Sequence, residues 1–108
     1  MERQKITHSW LLEHGYKIDE TIQNMFEEVY PDSNIFIEER RRCTEPIRFY
    51  KNEDGRITIQ HRWTNRYGEG YNVHIDNQVY ESVGCLEVLY VDELEKFIEV
   101  SYDESCSN

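Results

Sequence analysis

Histidine and aspartate two residues apart on a strand point to the same face, and the chain contains one such pair, His74 and Asp76. With His61 approaching from a neighbouring strand, two imidazoles and a carboxylate could form an open metal site. The competing reading is plainer: a strand running into an Asx turn at Asp76-Asn77 produces the same spacing. The turn is preferred, and the expectation is a chain with no cofactor.

Patterns for other chemistry are missing. There is no Ser elbow of the GxSxG type, no HExxH, no phosphate-binding P-loop and no dinucleotide fingerprint. Gly68-x-Gly70 lacks a third glycine and a following helix, so it reads as a turn. Carboxylates are abundant, but on polar helix faces they are solvated surface before they are acids or bases. The chain therefore leans away from enzymes.

Charge is distributed unevenly. Residues 1–39 hold three basic and nine acidic side chains, a net of −6. Residues 40–66 hold eight basic and three acidic, a net of +5, and residues 67–108 hold one basic and ten acidic, a net of −9. Seven of the eight basic residues in the middle are arginine, the planar partner for carboxylate and phosphate. Arg40, Arg41, Arg42, Arg48, Arg62 and Arg66, with Tyr50 and Tyr67, are the candidate binding residues. Three readings compete for them. The basic segment can lie beside acidic helices and be neutralised within the fold, each exposed pair contributing little. It can hold a phosphorylated small ligand or nucleotide, with an aromatic ring under the base. It can also be half of a protein interface, where Arg and Tyr concentrate. Extended nucleic acid is disfavoured, because a net charge of −10 repels a polyanion.

These residues must be positioned by a small scaffold. At 108 residues there is room for one core. The expectation is a single α+β domain over residues 1–102 and a polar, frayed tail over 103–108: an antiparallel sheet of four to five strands against two to three helices. A first helix runs from His8 to His14, with Thr7 as N-cap, Ile6 and Leu11 as a hydrophobic staple, and Gly15 as the left-handed ending. A second starts after Asp19 and stops near Tyr30, before Pro31; Ile22, Met25, Phe26 and Val29 form its apolar stripe. The last begins at Asp92, with Glu95 three residues on in a capping box and Leu94, Phe97 and Ile98 buried.

Strands are expected at 34–40, 47–51, 56–63, 71–75 and 85–90. The hairpin between the second and third of these has two possible registers. A two-residue turn at Asp54-Gly55 sets Tyr50 opposite Ile59. A three-residue loop, Glu53-Asp54-Gly55, sets Phe49 opposite Ile59 and gathers Ile47, Phe49, Ile57, Ile59 and Trp63 on one face, with Arg48, Tyr50 and Arg62 on the other. The second is preferred because it collects the apolar residues.

No stretch approaches the roughly eighteen apolar residues that span a bilayer, and the first residues lack an apolar leader with a cleavage site. Cys43, Cys85 and Cys106 are odd in number and widely spaced, which fits free thiols in a reducing compartment, the cytoplasm. The stretch from Ile6 to Tyr16, ITHSWLLEHGY, resembles the "LTEEWLLKxGF" opening of small proteins found in Bacteroidetes genomes, phages and mobile elements. Residues 89–94 resemble the "xKYVHxLQN" segment that ends them, with Asp92 and Glu95 where that group usually carries His and Gln. The resemblance covers about a quarter of the chain, implies a setting and brings no catalytic residues. The resulting expectation is a non-enzymatic binding protein acting by protein contact, of inhibitor, immunity or anti-defence type. A phosphorylated small ligand on the arginines is the alternative, and the oligomeric state is open.

Overall fold

A computed structural model describes residues 3–29, 39–75 and 84–106. Thr7 is extended, and its hydroxyl accepts the Trp10 amide at 3.0 Å, so α1 (His8–Glu13) starts where a side chain satisfies one of its orphan donors. It stops because Gly15 takes φ +89°, which lets the Tyr16 amide donate to the Leu11 carbonyl at 3.0 Å. Leu11 and Tyr16 are both buried by this ending.

The chain then makes β1 (Lys17–Ile18) and α2 (Glu20–Val29). Asp19 starts α2, its carboxylate accepting the Ile22 amide at 3.4 Å and its carbonyl the Gln23 amide at 2.8 Å. Four longer strands follow: β2 (Arg48–Lys51), β3 (Ile57–Thr64), β4 (Gly68–Ile75) and β5 (Gly84–Val88). The sheet is an antiparallel meander in the order β1-β2-β3-β4-β5. Together with the helices this is the α+β fold the composition and periodicity predict.

The hairpin register differs from the preferred one. Tyr50 pairs with Ile59, Phe49 with Gln60 and Arg48 with His61. The loop is longer than either predicted turn: the Asn52 amide donates to the Ile57 carbonyl at 3.0 Å, and the Asn52 side chain accepts the Ile57 amide at 3.0 Å, closing residues 53–56. Asp54 holds the Arg56 amide and Gly55 takes φ +76°. Because the period of a strand is two, this slip reverses the faces. Tyr50 and Arg48 lie on the face of Ile57, Ile59 and Trp63, while Phe49 lies on the other with Arg62.

That first face is the main core. Tyr50, Ile57, Ile59, Tyr71, Val73, Ile75 and Val88 pack with Ile6, Leu11 and Leu94, and the half-buried Phe97 and Ile98 close it. The opposite face carries a small second cluster, Phe26 against Phe49 edge-on at 5.1 Å with Ile47 beside them. Gln23 fixes α2 there: its amide oxygen accepts the Phe49 amide at 2.9 Å and its amide nitrogen donates to the Ile47 carbonyl at 3.2 Å. It takes over the edge of β2 where the two-residue β1 has ended. Only part of the predicted α2 stripe is used. Phe26 is buried, but Ile22 and Met25 are 42% and 50% exposed.

The C-terminal helix, α3 (Val91–Cys106), buries Leu94 as predicted but only half-buries Phe97 and Ile98, and it has a different cap. Glu93, not Glu95, reaches back, accepting the Leu89 and Tyr90 amides at 3.1 Å each. An N-terminal strap runs antiparallel beside this junction: Ile6 donates to Leu89 at 3.0 Å, Val91 donates to Gln4 at 2.9 Å, and Lys5 bridges Tyr90. Two further expectations change. Residues 39–42 are helical where the strand 34–40 was expected, the rest of that segment lying outside the described residues. Gly68 and Gly70 belong to β4, and the turn is formed by residues 65–67. The turn at Asp76-Asn77 lies outside the described residues.

Candidate functional site

The eight predicted binding residues do not converge. Arg62 points to the α2 side of the sheet, where it grips Glu39 through two nitrogens, Nε to Oε1 at 3.1 Å and Nη2 to Oε2 at 3.0 Å. Arg40 lies over the Phe26 ring at 4.7 Å, and Arg41 is also engaged. Arg48 faces Glu45 at 3.8 Å. Tyr50 is buried in the core, its hydroxyl 2.7 Å from His8 Nδ1, and burial pushes its pKa up. Arg66 pairs with Glu93 at 3.3 Å and lies over the Tyr67 ring, whose hydroxyl also bonds Glu93.

The metal candidates separate for a reason of register. Thr58 pairs with His74, which puts His74 on the same face as Thr58 and opposite to that of His61. His61 and His74 therefore cannot share an ion. Asp76 lies outside the described residues, and among these no group of three histidines, cysteines or carboxylates is placed to hold a metal.

Arg42 and Tyr67 do share a concavity, a cleft of about 630 Å³ at the end of the β3–β4 hairpin. The strap supplies one part of its wall with Lys5, Ile6 and Thr7, and the segment after the 39–42 helical turn supplies another with Arg42, Thr44 and Glu45. The sheet contributes His61, Trp63, Glu69, Gly70 and Tyr71. Gly68 permits the close approach: at φ +74°, a Cβ there would stand 3.3 Å from the Trp63 ring. The Arg42 guanidinium is 5.6 Å from the centroid of the same ring.

Glu69 organises the inner part of this cleft. Its carboxylate accepts the Thr44 amide and hydroxyl at 2.8 Å each and the Glu45 amide at 3.1 Å, and His61 Nε2 is 2.9 Å away. Burial alone would raise its pKa, but these donors outweigh burial and hold it below the usual carboxylate range. The other nitrogen of His61, Nδ1, lies 2.9 Å from the Pro46 carbonyl. Both neighbours of the ring are acceptors, so both contacts are hydrogen bonds at once only when the imidazole carries two protons. Glu69 and His61 thus tie the 44–46 segment to β3 and β4. With every lone-pair direction of Glu69 met by a donor, the pair is a brace rather than a free base.

Glu93 plays a similar part at the neighbouring junction. Burial would raise it, yet the Tyr67 hydroxyl, the Leu89 and Tyr90 amides and Arg66 together lower it. Sequence reasoning missed Glu69, Trp63, Thr44 and Lys5 as site residues. The available signal was a carboxylate flanked by two glycines, Gly68-Glu69-Gly70, which is an odd choice for a turn and a natural one for a strand approached closely by other backbone.

What the cleft can do is bind. It offers aromatic surface from Trp63, Tyr67 and Tyr71 and cations from Lys5 and Arg42, while its inner carboxylate is fully occupied. Compared with protein-family models, curated proteins and solved structures, the chain finds no match in any of the three, so its reading rests on its own residues.

Proposed function

We propose that this chain is a non-enzymatic binding protein that acts by contact with another protein, using the outward flank of α2. The observation that carries this reading is the rotation of the α2 stripe relative to the sheet. Phe26 takes the buried position, and Ile22 and Met25 remain 42% and 50% exposed. Glu20, Glu27 and Glu28 are exposed on the same helix, which contains no lysine or arginine. Apolar side chains among carboxylates suit a partner whose apolar pocket is ringed by lysine and arginine. Such a partner is also favoured by the chain's net charge of −10.

The arginines support this reading by being occupied. Arg62, Arg48 and Arg66 face Glu39, Glu45 and Glu93 of the same chain, so they are not a free cluster for a nucleotide. The likeness of both chain segments to proteins of Bacteroidetes phages and mobile elements supports an accessory role of inhibitor, immunity or anti-defence type. The odd, scattered cysteines support a cytoplasmic setting.

The test is capture from host lysate with wild type and with Ile22→Ser/Met25→Ser, matched by circular dichroism. A basic partner held by wild type, lost with the double variant and released by added salt is the expected result. Identical recovery by both proteins, or a partner that is itself acidic, would overturn the reading.

A further inference from the structure

Anions settle where cations lack another partner and where nearby carboxylates are already neutralised. The cleft at the hairpin end meets both conditions, and it does so independently of α2. Arg42 and Lys5 both line it, and neither has a carboxylate within ion-pair distance among the described residues. Elsewhere in the central segment the pattern is the opposite, as the Arg62–Glu39 contact at 3.0 Å and the Arg66–Glu93 contact at 3.3 Å illustrate. Glu69, the inner carboxylate, is taken up by Thr44, Glu45 and His61, and Glu45 faces Arg48. The cleft thus sets two carboxylates against two cations, and it is cationic in what it leaves available.

Its wall adds a second requirement. Trp63 is half-buried, with the Arg42 guanidinium 5.6 Å from its ring centroid. An aromatic face next to a planar guanidinium suits a ligand with a flat ring at one end and an anion at the other. The volume of about 630 Å³ lies in the range of small-ligand sites. A longer polyanion would extend into the field of the acidic helices, whereas a single phosphate can sit beside the local cations.

We propose that this cleft binds a small aromatic phosphate, of nucleoside monophosphate size, with Arg42 and Lys5 on the phosphate and Trp63 against the ring. The guanidinium supplies paired N–H donors to two phosphate oxygens and the ammonium a point charge. No bond is made or broken; the site is a binding site. It differs from the predicted arginine cluster in using the one arginine at the cleft rather than the whole basic segment.

The chain has two tryptophans, so Trp10→Phe leaves Trp63 as the sole reporter. In that background, adenosine monophosphate, adenosine and inorganic phosphate are titrated against tryptophan fluorescence. The monophosphate is expected to quench saturably, with adenosine and phosphate each about tenfold weaker or more. Arg42→Ala combined with Lys5→Ala should weaken the monophosphate by about tenfold or more. Both side chains are exposed, so the unliganded melting temperature and circular dichroism should stay put. Absence of saturable quenching at millimolar monophosphate overturns the proposal. So does equal affinity in the double variant, or adenosine binding as tightly as its phosphate.

Discussion

Removing the Glu69 carboxylate tests whether the cleft is braced as its geometry requires. Four donors converge on it: the Thr44 amide and hydroxyl, the Glu45 amide and His61. In Glu69→Gln the remaining oxygen can keep the two Thr44 bonds, but the new amide group faces the Glu45 amide donor to donor. His61 can adapt by keeping its proton on Nδ1 for Pro46 and accepting from the glutamine at Nε2. One backbone amide is then left without its acceptor and one charge-assisted contact becomes neutral, a loss of about 1–3 kcal/mol. Glu69→Ala strips all four donors of their acceptor. The Glu69 side chain is 22% exposed, so water replaces some of them, and about 3–4 kcal/mol is expected. Urea unfolding at neutral pH measures both, with Gln between wild type and Ala. The pH dependence has a definite sign. The folded pKa of Glu69 is lowered, so its contribution is full above the ordinary glutamate pKa of about 4.3 and is lost as pH falls through the folded value. The wild-type advantage over Glu69→Gln should therefore shrink on acidification below that point. An unfolding midpoint for Glu69→Ala within error of wild type at pH 7 would refute the brace.

The Glu39–Arg62 contact is two-pronged, with side chains 14% and 25% exposed, and a double-mutant cycle on Glu39→Gln and Arg62→Gln should give a coupling of about 1–2 kcal/mol. A coupling near zero would mean that residues 39–42 are held by other contacts. Gly68→Ala imposes a left-handed alanine and a 3.3 Å approach to Trp63; about 1–2 kcal/mol of destabilisation and a changed Trp63 emission are expected. Cys43 is pushed up to about 11, by burial first and then by Glu69 and Glu39. In a Cys85→Ser/Cys106→Ser background its alkylation at pH 8 should be about a hundredfold slower than that of an ordinary cysteine, and should quicken as pH approaches 11. Alkylation at the ordinary rate would place the thiol in open solvent.

Local signals were the most legible. Thr7, Leu11 and Gly15 mark both ends of α1 because caps depend on a few adjacent residues. The strand faces were harder. Gathering Ile47 and Phe49 with Ile57 and Ile59 suits a hairpin in isolation, but it requires a single apolar face. The sheet has two, since α2 brings Phe26 to Phe49 from behind. Tyr50 could then enter the main core, where its hydroxyl meets His8 from a different element. The same limit explains the site. Lys5, Arg42 and Trp63 are far apart in the chain, and nothing local in their sequence foretells that they line one cleft. Charge density along the chain says which residues are basic and not which carboxylates they will find.

The strap beside Leu89 and Val91 has a consequence for the order in which the molecule assembles. Arg3 and Asp92 meet across 89 positions of chain, while β3 and β4 are joined by a turn of residues 65–67. Closing a short turn costs far less chain entropy than closing a loop of that size, so the meander can zip before the strap docks. Leu11, carried by the strap and α1, is the plug that arrives last in a core already lined by the sheet. In the native state the strap is held by the Ile6 and Val91 amides and by the Arg3–Asp92 pair. Amide exchange at Ile6 and Val91 should then report a partial opening, in which the sheet persists and the wall of the cleft formed by residues 5–7 swings away.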